Sequence, residues 1–111
     1  MLFRSPRRLD TPLMDAVVAM LARRSPAHQA AQVKALLQRP DASPVLRTVT
    51  VPTLLLTGAQ DGWSPPGRHD EMAAMVRGPA TRVDVPDCGH MAPMEAPEAV
   101  NAALRAWLAT L

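Results

Sequence analysis

The sequence predicts an α/β fold: two strand–loop–helix units of a parallel sheet, preceded by a pair of helices. Two observations carry this. "VTVPTLLLTG" (49–58) holds Leu54, Leu55 and Leu56 in a row, and an apolar run without alternation fits a parallel strand buried on both faces. "TRVDV" (81–85) is a second, shorter strand, and each strand leads through a loop to a helix start marked by proline. Such units build parallel sheets with crossover helices on the faces.

The elements follow in order. Thr11 then Pro12 opens a first helix, a capping hydroxyl followed by a residue with no N–H to leave unpaired. Leu13, Val17, Met20 and Leu21 recur at helical spacing, and Arg23 and Arg24 suit the negative end of the helix dipole. Ser25-Pro26 repeats the start signal. A second helix turns Ala30, Val33, Leu36 and Leu37 inward and stops at Pro40. With almost no linker between them, the two read as a helical hairpin. "RPDASP" (39–44) reads as loop and sets an internal boundary between residues 1–44 and 45–111.

After the first strand, Ser64-Pro65 signals a helix with Met72, Met75 and Val76 on its inner face. Gly78-Pro79 turns the chain into the second strand. Pro97 opens a last helix with Val100, Leu104, Trp107 and Leu108 on one face, Trp107 in the core. Two strands cannot provide both edges and both layers that a central parallel strand needs. The chain reads as part of a larger sheet.

Composition narrows the function. The 111 residues allow one domain at most, and at 48% hydrophobic residues they do not read as disordered throughout. Phe3, Trp63 and Trp107 are the only aromatics, so no stacking platform for single-stranded nucleic acid is visible. Residues 1–50 carry eight Lys or Arg against three acids, and residues 51–111 carry four against seven. Arg4, Arg7, Arg8, Arg23 and Arg24 suit solvated helix ends and loops, and no nucleic-acid partner is expected. No apolar stretch is long enough to span a bilayer, so no membrane partner is expected either. The start has a twin-arginine look, but Asp10 and Asp15 interrupt it, and it reads as mature protein. Cys88 is the single cysteine, so a reducing, cytoplasmic compartment is expected.

Ligands of open parallel sheets sit beyond the carboxyl ends of the strands. Asp61 lies four residues after Thr57 and His90 five after Val85, so neighbouring strands would bring both to one rim. A carboxylate accepting the Nδ1–H of an imidazole fixes its tautomer and favours the imidazolium formed when Nε2 takes a proton. Loop position alone leaves a solvated histidine and a turn-forming aspartate equally open.

The surrounding residues separate these readings. "VPTLLLTGAQDGWSPP" followed by "DCGHMAPMEAPEAVNAALRAWL" resembles the C-terminal part of the α/β-hydrolase family. That family carries a Pro-Thr-apolar strand, Gly-x-x-Asp, a nearby proline, then Gly-His and a Glu-x-Pro-Glu helix start. The likeness is strong over roughly residues 45–111, while residues 12–44 look more loosely like the end of a helical cap. It implies a partial α/β-hydrolase fold with Asp61 as triad acid and His90 as general base. It further implies a small ester-like substrate for the complete enzyme and no cofactor. Gly89 would give the histidine loop backbone freedom, Glu95 would order that loop or the helix start, and Trp63 would line the pocket.

The family's nucleophile precedes the acid within Gly-x-Ser-x-Gly, and these residues contain no such elbow. Ser5, Ser25 and Ser43 lack flanking glycines. Ser64 follows Asp61 and precedes Pro65, which has no N–H for an oxyanion hole. Cys88 is too close in sequence to His90 to serve. His28, His69 and His90 are scattered and Cys88-x-His90 lacks further ligands, so no metal is expected. The chain alone is therefore expected to be inactive. The rival readings are a non-catalytic interaction protein, a remnant that binds an intact hydrolase through its bare strand edge, with self-association also open, and a nucleic-acid module built on the basic N-terminal helices.

Overall fold

The computed structural model describes residues 11–111. The elements are α1 (Thr11–Ala22), α2 (Pro26–Leu37), α3 (Ser43–Leu46), β1 (Thr53–Gly58), α4 (Pro66–Met75), β2 (Ala80–Val85), α5 (Ala92–Glu95) and α6 (Pro97–Leu108). Arg4, Arg7, Arg8 and the leader-like start lie outside the described residues, as does the expected capping hydroxyl of Thr11.

β1 and β2 pair in parallel, from Thr53 opposite Ala80 to Gly58 opposite Val85. Side chains alternate between faces along each strand, and the contacts follow that parity. Arg82 reaches Asp70 of α4 at 2.8 Å, so the face of Leu55 and Arg82 is covered by α4. Leu56 and Val83 pack on the opposite face with Val100 of α6. The tightest packing is at the carboxyl end of this second face, where Val85, Cys88, Ala92 and Ala96 form the buried cluster. The histidine loop itself therefore supplies part of this buried cluster.

Thr53 donates its N–H to Pro79 and Ala59 donates to Val85. Since successive backbone groups of a strand point to opposite sides, those of Leu54 and Leu56 face away from β2. Among the described residues the sheet has two strands, so that edge of β1 is unpaired. This is the open edge that the leucine run predicted.

Several expectations are corrected. The first strand begins at Thr53 rather than residue 49; Val49 instead accepts the N–H groups of Arg77 and Gly78, and Pro52 offers no ladder donor. The segment 39–44 is not all loop, because α3 begins at Ser43 after the Asp41 carboxylate takes its N–H and hydroxyl at 2.9 and 2.7 Å. Ser64 does not cap α4, whose N-cap is Pro65. The short α5 was not foreseen within the histidine loop. In α1 Val17 is buried, but Ala30, Val33, Leu36 and Leu37 of α2 are all exposed, so the two helices bury no shared face. Trp107 is half-buried rather than core. Ser25 does cap α2, accepting the N–H of His28 at 3.2 Å.

Candidate active site

The site forms where the two strands end. β1 stops at Gly58, whose carbonyl accepts the N–H of Asp61 at 3.0 Å and so turns the chain back. The next residue but one, Gln60, donates to the carbonyl of Cys88 at 2.9 Å, stitching the loop after β1 to the loop after β2. A Cβ at Gly58 would collide with the carbonyls of Gly89 and Cys88. Only glycine lets the two loops approach this closely.

That approach brings Asp61 and His90 together. Asp61 is 6% exposed, and its Oδ2 accepts the Nδ1–H of His90 at 2.9 Å. Its Oδ1 accepts the N–H groups of Trp63 and Ser64 at 2.8 and 2.9 Å. Burial alone would raise the Asp61 pKa, but the hydrogen bonds from Ser64, the His90 ring and Trp63 outweigh it, and the carboxyl is held below its ordinary value. The aspartate is ionised and aimed. With Nδ1 committed to the carboxylate, Nε2 is the imidazole nitrogen left for chemistry.

Glu95 holds the histidine loop from below. This buried carboxylate accepts the N–H of Gly89 through Oε1 and the N–H of Met91 through Oε2, each at 3.0 Å. Backbone on both sides of His90 is thereby fixed to α5. The glycine expectation is corrected here: the left-handed residue of this loop is Asp87 (φ 50°), while no glycine has positive φ. Gly89 contributes its N–H to Glu95 rather than unusual torsion angles.

Trp63 is 61% exposed and its ring lies 5.1 Å from that of His90 at 33°. Together with Ser64, Pro65, Arg39 and Arg68, these two rings line a cleft of about 570 Å³. The two arginines were not foreseen as site residues, because Arg39 reaches the cleft from a segment with no motif. Cys88 is fully buried, its thiol 3.6 Å from the Gly89 carbonyl. Among the described residues no group of three His, Cys, Asp or Glu side chains is placed to hold a metal ion, and no helix is long and apolar enough to cross a membrane.

A model of the alpha/beta hydrolase family matches residues 2–103. The chain belongs to the alpha/beta hydrolase family. Solved structures agree with this hydrolase fold. An esterase from Thermogutta terrifontis, solved with malate bound, is 41% identical, with a TM-score of 0.62 over 66% of this chain and 26% of its own. The candidate non-heme bromoperoxidase BpoC of Mycobacterium tuberculosis H37Rv is 26% identical, with a TM-score of 0.72 over 96% of this chain and 40% of its own. The CarC serine hydrolase of carbazole degradation, at 22% identity and a TM-score of 0.67, is similar in fold over 77% of this chain and 33% of its own. The chain thus spans between about a quarter and two fifths of these three solved structures. No curated protein matches it.

Proposed function

We propose that Asp61 and His90 are the acid and general base of a serine-hydrolase triad acting on an ester or related acyl bond. The 2.9 Å contact between Asp61 Oδ2 and His90 Nδ1 at the carboxyl rim of paired strands carries this reading. His90 Nε2 takes the proton of a serine hydroxyl as its oxygen attacks the acyl carbon, then returns it to the departing alkoxide. A water molecule, deprotonated by the same nitrogen, then attacks the acyl carbon, and the serine oxygen leaves with that proton as the acid is released. Asp61 keeps the ring in the right tautomer and stabilises the imidazolium. The 41% identity to an esterase supports an ester as substrate.

In this reading the serine and its oxyanion-hole donors are not among these 111 residues, and the chain alone is inactive. Residues 1–44 are the end of a helical cap and residues 45–111 the C-terminal part of the catalytic core. The test is a longer polypeptide that adds a Gly-x-Ser-x-Gly segment upstream and hydrolyses an activated aryl ester. There, Asp61→Asn is expected to lower kcat about 10⁴-fold, as loss of an orienting carboxylate does in other triads. Indifference to that substitution would place the acid elsewhere. If the 111 residues alone show turnover that His90→Ala abolishes, a nucleophile within them is at work, Cys88 first.

A second reading is favoured by the unpaired edge of β1: association, without catalysis, through that edge. Beside it lies a groove of about 450 Å³ lined by Leu54, Leu56, Val100, Leu104 and Trp107.

A further inference from the structure

The cleft in front of His90 has a chemical character that the triad itself does not require. Of its six lining residues two are arginines, Arg39 and Arg68, and none is acidic. They come from distant parts of the chain: Arg39 from the connection after α2, Arg68 from the first turn of α4. Trp63 adds a flat, largely exposed ring beside the imidazole.

Nearby anions reach Arg68 only partly and do not pair with Arg39. Asp61 is engaged with His90, Trp63 and Ser64. Glu71 approaches one nitrogen of Arg68 at 3.9 Å, in an exposed contact that leaves the rest of its fork open. Asp41 is hydrogen-bonded to Ser43 and acts on Arg68 only through longer-range attraction. Arg39 has no ion-pair partner among the described residues. A guanidinium presents planar, paired donors that match a carboxylate. Two of them on one cleft, with an aromatic wall, describe a receptor for an organic anion rather than for a neutral ester.

We propose that Arg39 and Arg68 form a carboxylate subsite, so that the substrate is an ester carrying a free carboxylate on an apolar body that rests against Trp63. This rests on the triad reading for the position of the scissile bond, at His90, but the subsite can be tested without turnover. The two arginines then fix which end of the substrate faces the imidazole. They discriminate against neutral esters of the same shape.

The experiment uses the 111-residue chain and benzoate, with benzyl alcohol as the neutral probe of similar shape and phenyl phosphate as the rival anion. Binding is followed by the indole N–H resonance of Trp63, with that of Trp107 as internal control. Benzoate is expected to shift Trp63 and not Trp107, and to bind about tenfold tighter than benzyl alcohol. Arg39→Gln and Arg68→Gln should each weaken benzoate several-fold and leave benzyl alcohol unchanged; both residues are exposed, so the fold is retained. Equal binding of the alcohol, or indifference to both substitutions, overturns the subsite. Tighter binding of phenyl phosphate overturns the carboxylate assignment. The triad reading fails separately, if Asp61→Asn leaves the His90 ring resonances unchanged while benzoate still binds.

Discussion

The Glu95 carboxylate accepts the N–H of Gly89 at 3.0 Å from a position that is 1% exposed. With its other oxygen on the Met91 N–H, this one buried side chain ties down the backbone on both sides of His90. Glu95→Gln keeps the size but turns an NH₂ toward a backbone donor, leaving a buried N–H unsatisfied at a cost of about 1–3 kcal/mol. Amide hydrogen exchange at Gly89 and Met91 should accelerate in this variant, with α4 amides little changed. Unaltered protection at both positions would mean that Glu95 does not hold the loop.

Gly58 poses a steric problem of a different kind. Its added Cβ would meet the Gly89 and Cys88 carbonyls, which are backbone and cannot swing aside. Gly58→Ala should therefore force the two loops apart and cost roughly 1–3 kcal/mol or more, the range for overpacking. The readout is the His90 ring: its Nδ1–H resonance, held by Asp61, should broaden into exchange with water. A sharp, wild-type Nδ1–H signal in Gly58→Ala would show that the loops adapt by another route.

Asp61 makes stability depend on pH in a defined direction. Its folded pKa is depressed below the ordinary 3.8, so the unfolded chain binds the proton more readily than the folded one. The contribution is fully present above 3.8 and disappears as pH falls through the lower, folded value. Urea unfolding of the wild type should thus lose stability on acidification below about pH 4, more steeply than Asp61→Asn does. Parallel pH profiles for the two proteins would remove Asp61 from the acid response.

Much of this was legible because it depends on local rules. Three consecutive leucines fit a parallel strand buried on both faces, and Asp61 and His90 lie three and five residues past the ends of two paired strands, so topology brings them to one rim. What the sequence concealed depends on tertiary approach. Gly58 looks like any strand-terminal glycine until the second loop is laid against it. Arg39 carries no motif, and its place in the cleft depends on how the chain after α2 returns to the sheet. The helical spacing of Val33, Leu36 and Leu37 was correctly periodic, yet periodicity says that a face is apolar and not what covers it; here all three are exposed. Ser64 had the chemistry of a helix cap, but its N–H was drawn to Asp61 and the helix began two residues later.

The open side of the sheet supports a last prediction. Trp107 Nε1 is buried without a hydrogen-bond partner among the described residues, and it borders the apolar groove next to the unpaired edge of β1. An orphaned donor of this kind costs about 1–3 kcal/mol, so removing it offsets part of the packing lost when the indole is cut down. Trp107→Phe is therefore expected to be close to neutral in thermal unfolding of dilute, monomeric chain. The bare backbone groups of Leu54 and Leu56 offer a strand template, and association through them would cover the groove as well. Sedimentation should show mass rising with concentration, and Leu104→Lys, which places a charge on the groove, should suppress it. A loss of 3 kcal/mol or more in Trp107→Phe would mean that the N–H is already paired. A chain that stays monomeric at every concentration would show that the β1 edge does not recruit a second copy, and would leave a strand from a different polypeptide as the remaining occupant.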